Sequence, residues 1–230
     1  MNLKETLRYL GYRGKEADEQ TLKLIGECWE ELEEKTQRRA CFREFPLVFL
    51  EDRIDMGCLQ TESRDLRKNL EGCSLVVLFA VTLGVMADNL IRRYSRLEMS
   101  RAVVMQAAAA AMLEDYCDQV NEELRLEYEK RGMFLRPRFS PGYGDFPLGC
   151  QPALLGGLEA SKRVGITLTD SYLMMPSKSV TAVIGVSKER RSVPRCSGQG
   201  GTPEASKEER GAGKCLECNK KDCLYRRKTI

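Results

Sequence analysis

Arg138-Phe139-Ser140-Pro141-Gly142-Tyr143 opens, and Ser179-Val180-Thr181-Ala182-Val183-Ile184-Gly185-Val186 closes, the stretch 136–187 on which the reading of this chain turns. Pro137 and Pro141 bracket the opening turn, and each biases the residue before it towards extended backbone. Gly142 and Gly144 flank Tyr143, so the main chain there is free to adopt positive φ or to approach a ligand closely. An arginine fork and an exposed phenol on a stiff loop with accessible backbone suit a small polar ligand bearing a carboxylate. A structural turn with a surface arginine is the alternative for the hexapeptide taken alone. Between the two ends, Pro152 fits the first turn of a helix over 151–158, weakened by Gly156-Gly157. Residues 166–168, 172–175 and 179–186 read as strands, the last two joined around Pro176-Ser177.

Working upstream, residues 4–10 read as a short helix stopped by Gly11. A second helix over 18–35 places Leu22, Ile25, Cys28, Trp29 and Leu32 on one face. Residues 41–50 read as a strand in which Pro46 favours an edge or a bulge, with 54–59 as a pairing partner. Ser63 fits the N-cap of a helix through Leu70. The continuous apolar run 75–83 has the signature of a central strand buried on both faces. Two helical pieces follow, 86–94 and 98–131. The second holds the five alanines 107–111, a small-residue stripe suited to close packing on a sheet or to lining a cleft. Glu114, Asp115 and Asp118 follow on adjacent turns, read as a polar helix face with a ligand role as the alternative. Strand runs with helices grouped between them give an α+β fold, an antiparallel or mixed sheet packed with long helices.

A chain of 230 residues buries a core without needing disulfides or metal. No apolar run reaches the roughly 20 residues of a spanning helix, so no membrane association is expected. Met-Asn-Leu-Lys-Glu lacks an export pattern, which points to the cytoplasm. The formal net charge is +3. From Lys188 onward twelve Lys/Arg face six Asp/Glu, which leaves a slightly acidic body of 25 against 28 and argues against nucleic acid as a partner. The absence of histidine removes Ser-His-Asp and Cys-His catalysis and every imidazole-bearing zinc site.

The composition divides the chain into a body at 1–187, a flexible Gly/Pro/charged linker at 188–214 and a Cys-rich tail at 215–230. Cys215, Cys218 and Cys223 lie close enough to share one soft centre, with Cys196 as a fourth thiolate. Zinc, an iron–sulfur cluster and free thiols all stay open.

Residues 168–176, Leu-Thr-Asp-Ser-Tyr-Leu-Met-Met-Pro, followed by Ser179-Val180, complete a second motif after Arg138-x-x-x-Gly142-Tyr143. Two motifs in this order resemble the activation domain of cobalamin-dependent methionine synthase, here as a free-standing member. The resemblance is clear over 136–187 and weaker over the helices before them. It implies binding of S-adenosylmethionine and docking on a corrinoid-binding methyltransferase subunit, so that oxidised cob(II)alamin is reduced and remethylated. Flavodoxin or ferredoxin would be the electron donor, or a cluster on the tail would take that place. The resemblance further implies that Arg138 contacts S-adenosylmethionine, with Pro141 and Gly142 in the same loop, and that Tyr143 lies near the corrinoid. The chain lacks the histidine that the family carries after its Gly-Tyr pair, a later tyrosine pair, and a match to the family's N-terminal acidic contact. An autonomous S-adenosylmethionine-dependent methyltransferase is the first alternative, disfavoured because no glycine-rich turn follows a first strand. A non-catalytic metal-binding protein is the second.

Overall fold

Leu75–Thr82 is the strand on which the two cores meet, and its sequence explains why: apolar side chains at consecutive positions leave neither face for water. The computed structural model describes residues 1–12 and 16–189. These fall in one unit, Met1–Arg191; a second, Ser192–Ile230, lies outside the described residues, as do Cys196, Cys215, Cys218 and Cys223.

The elements run α1 (Leu3–Tyr9), α2 (Glu19–Lys35), β1 (Arg39–Pro46), β2 (Val48–Phe49), β3 (Ile54–Asp55), β4 (Gln60–Thr61), α3 (Arg64–Leu70) and β5 (Leu75–Thr82). There follow α4 (Val85–Leu97), α5 (Met99–Lys130), β6 (Phe134–Leu135), α6 (Gln151–Leu158), α7 (Ala160–Val164), β7 (Thr167–Leu168), β8 (Met174–Met175) and β9 (Ser179–Ser187). The main sheet has the order β1-β5-β9-β6, antiparallel throughout. This is the expected α+β arrangement.

Alternation along β5 separates the cores. Val77, Phe79 and Val81, with Ala182 and Ile184 of β9, pack against α2, α4 and α5. Val76, Leu78 and Ala80, with Val183, pack against α3, α6 and α7. On α5 the alanines 108, 109 and 111 are fully buried in the first core, so the stripe serves close packing. Ser63 caps α3 by accepting from the Leu66 N–H, and Asp18 caps α2 in the same way at Thr21. Leu22, counted on the buried face from spacing, is exposed in the first turn of α2.

Two local expectations change. The strand over 41–50 splits after Pro46: β1 ends there as a sheet edge, and β2 turns into a separate sheet with β3 and β4. Residues 172–175 do not form a hairpin with the closing strand. Tyr172 sits in a turn with φ 63°, and only Met174–Met175 pairs, with β7. The chain leaves that ribbon because Pro176 has no N–H to offer, and Ser177 is drawn to α4, donating from N and Oγ to Asp88 at 2.7 and 2.6 Å. Among the described residues no helix is long and apolar enough to cross a membrane.

Candidate functional site

Gly132, at φ 68°, takes the chain out of α5 and lays residues 134–139 along the free edge of β9. Arg136 N–H donates to the Gly185 carbonyl at 2.8 Å, and Phe139 and Val183 exchange both backbone hydrogen bonds at 2.9 and 2.8 Å. Pairing of this kind sends alternate side chains to opposite faces. Phe139 joins the second core, its ring centroid 6.3 Å from that of Phe146. Arg138 turns the other way, over the Phe79 ring at 5.9 Å and under α5.

There the arginine meets carboxylates. Its Nη2 donates to Asp118 at 2.7 Å and lies 3.7 Å from Glu114, and its side chain is 12% exposed. Nη1 is enclosed without a hydrogen-bond partner. Of the trio Glu114, Asp115 and Asp118 on α5, the first and last therefore anchor the motif arginine, while Asp115 accepts from Asn2 at 2.7 Å. The fork expected to lie open towards a ligand is already half engaged.

The loop beyond it is fixed from both sides. Gly142 N–H donates to the Phe146 carbonyl at 2.8 Å, Tyr143 N–H to Ser140 at 3.1 Å, and Phe146 N–H to Tyr143 at 3.0 Å. Asp145 reaches the start of α3, accepting from Ser63 Oγ and from the Arg64 and Asp65 N–H groups at 2.5, 2.8 and 3.1 Å. Asp65 returns the contact by accepting from Asp145 N–H at 3.2 Å. Burial raises the Asp145 carboxyl, but the hydrogen bonds from Ser63, Arg64 and Asp65 outweigh it and hold it below its ordinary value. Pro141 is buried as the anchor of the turn, Gly142 is exposed at φ 91°, and Tyr143 stands 69% exposed.

A second polar group sits where β8 passes into β9, and it was missed in the sequence. Thr82, Ser179 and Thr181 are buried, and so is Lys178 at 8% exposure. Ser179 Oγ bonds with Thr82 Oγ1 at 2.9 Å and donates to the Pro176 carbonyl at 2.7 Å, and Thr181 Oγ1 donates to Gln151 at 2.7 Å. Burial lowers the Lys178 amine from its ordinary value, and the attraction of Asp88 opposes that only in part. The legible signal was the run Ser177-Lys178-Ser179, polar where an apolar strand begins.

No group of three His, Cys, Asp or Glu side chains suited to a metal occurs among the described residues. Burial pushes the Cys28 thiol up to about 11, which makes it a poor nucleophile.

Residues 66–193 match the family described as vitamin B12 dependent methionine synthase, activation domain. The fold also matches the crystal structure of the MetH reactivation domain bound to AdoHcy, with a TM-score of 0.58 and 19% sequence identity. The match covers 76% of this chain and 66% of that one, so this chain spans just under two thirds of the relative's length. With more than half of its residues inside the family match, the chain belongs to the activation domain family of vitamin B12-dependent methionine synthase.

Proposed function

We propose that this chain binds S-adenosylmethionine and docks on a corrinoid-binding methyltransferase subunit, supporting the reductive remethylation of cob(II)alamin there. The observation that carries the reading is the loop 138–143, which lies within the family match and is held at both ends with Tyr143 exposed. The related reactivation domain bound AdoHcy, a nucleoside of the same shape.

The residues present fit such a ligand. Arg138 has one enclosed nitrogen without a partner, and the exposed Gly142 backbone leaves room for close approach. Asp118 and Glu114 add negative charge suited to a sulfonium. In this reading Arg138 meets the carboxylate of the methionine part, the backbone near Gly142 supplies hydrogen bonds, Pro141 shapes the turn, and Tyr143 points to the partner. When bound, S-adenosylmethionine supplies the methyl group, and the partner's corrinoid is its acceptor. This chain contributes binding, orientation and exclusion of water. Exposed Val85, Met86, Tyr172, Leu173 and Met175 lie on α4 and the β7–β8 ribbon, which Ser177 and Asp88 tie together, and they offer apolar area for docking. A flavodoxin- or ferredoxin-type protein would supply the electron.

Calorimetric titration of S-adenosylmethionine into the full chain tests the reading. Saturable binding, weakened tenfold or more (about 1.4 kcal/mol) by Arg138→Ala, is the expected result. No binding by the wild-type chain at millimolar ligand, with or without the corrinoid protein, would overturn it.

A further inference from the structure

The ten cysteines of the chain fall into two settings. Of the six among the described residues, Cys28, Cys41, Cys73 and Cys117 are buried, and Cys58 and Cys150 are half-buried. They pack into or against the two cores, where each serves as a small apolar filler. Burial raises the thiols of Cys28, Cys41, Cys58 and Cys150, and no group of three metal-binding side chains forms among the described residues.

The other four, Cys196, Cys215, Cys218 and Cys223, lie outside the described residues, and their order in the chain bears on their use. A filler role has no support there. Between Cys196 and Cys223 the only Val, Leu, Ile, Met, Phe, Tyr or Trp is Leu216. A stretch so poor in apolar residues builds no core of its own. Thiols outside a core are left to their chemistry, which is oxidation, pairing or a metal.

The spacing selects the metal. Two residues separate Cys215 from Cys218 and four separate Cys218 from Cys223, both within the gaps of about two to four that let neighbouring thiolates grip one zinc ion. Eighteen residues separate Cys196 from Cys215, inside the range of about 15–20 that joins the two parts of an all-cysteine zinc site. Iron–sulfur runs order their gaps differently, as Cys-x2-Cys-x2-Cys or Cys-x4-Cys-x2-Cys. With no histidine in the chain, a fourth thiolate is the soft donor that completes the set. Zinc in four thiolates carries a net double negative charge, and the flanking residues offset it: over 214–230 six Lys/Arg accompany two Asp/Glu. The same cations favour the thiolate over the thiol, and the thiolate is the form that binds metal.

We infer that Cys196, Cys215, Cys218 and Cys223 hold one zinc ion in a closed four-thiolate site. Each thiol gives up its proton on binding, so the affinity rises with pH. Zinc has no redox chemistry, and four protein ligands leave no open position, so the ion has a structural use and not a catalytic one. The electron for a corrinoid then comes from a separate donor protein.

The test is elemental analysis of the untagged full chain, purified with reductant and without chelator. About one zinc per chain is expected. Cys196→Ser, Cys215→Ser, Cys218→Ser and Cys223→Ser, made singly, are each expected to lower zinc affinity tenfold or more in competition with a chromophoric chelator, whereas Cys58→Ser keeps it. Cobalt(II) added to the zinc-free chain should give the intense thiolate-to-cobalt band and the visible bands of a tetrahedral ion, and excess zinc should bleach both. A variant whose body misfolds is recognised by circular dichroism, and the cobalt titration of the wild type then decides alone. Iron with acid-labile sulfide in place of zinc overturns the assignment. So does a chain that takes up neither zinc nor cobalt while its four C-terminal thiols react freely or are recovered as disulfides. A Cys196→Ser chain with wild-type affinity overturns the four-thiolate site.

Discussion

Gly144 has no room for a side chain. A Cβ there would lie 2.2 Å from Asp65 Oδ2, and φ is 53°. Gly144→Ala is therefore expected to displace the reciprocal cap between residues 65 and 145 and to cost about 1–2 kcal/mol, read as a lower urea midpoint. Asp145 gives the same contact a pH dependence. Its folded value lies below the ordinary 3.8, so its stabilisation is complete above that value and is lost as the pH falls through the depressed folded one. Asp145→Ala should accordingly cost about 1 kcal/mol at neutral pH, and the gap to wild type should close in acid; unfolding curves at pH 7 and near pH 3 would show it. None of this was readable from spacing. The glycine flanking Tyr143 was visible as a special position, but its partner lies some eighty residues earlier, and proximity across that distance is set by tertiary packing. Arg138 is similar: its motif was plain, whereas its pairing with Asp118 and Glu114 required knowing which way the edge strand faces.

At the scale of elements, the alanine stripe of α5 was legible because small residues at consecutive helical positions have few uses other than close approach. Ala109 is fully buried in the first core, so Ala109→Leu is expected to overpack it and cost about 1–3 kcal/mol, measured by denaturant unfolding. The β8–β9 passage was misread because strand propensity extends through residues 172–175, while the pairing partner is decided by one hydrogen-bonded corner. Asp88→Ala removes both acceptors of Ser177. Amide exchange at Met174 and Met175 should then quicken, with little change across β5; uniform acceleration would mean that the corner supports the whole sheet instead of the ribbon alone.

For the molecule as a whole, the two-core architecture followed from one observation, the apolar run that becomes β5, because a strand buried on both faces requires a layer on each side. The face proposed for docking was not legible, since exposed apolar residues acquire meaning only when the fold brings them together. Leu173, 62% exposed, separates the two activities proposed here. Leu173→Asp is expected to leave S-adenosylmethionine binding and thermal stability unchanged while weakening capture of the corrinoid protein, as followed by surface-immobilised binding. Unimpaired capture would remove the ribbon from the docking face.

The pairing of β5 with β9 joins residues about a hundred positions apart. During synthesis β5 emerges early, accompanied by β1 and the helices that follow, but its other edge stays bare until residues 179–187 have left the ribosome. Until then an eight-residue apolar strand presents unpaired backbone, and both cores lack one wall. The last described strand thus acts as the closing event of folding, and a nascent chain stalled before it carries an exposed template for association with its neighbours.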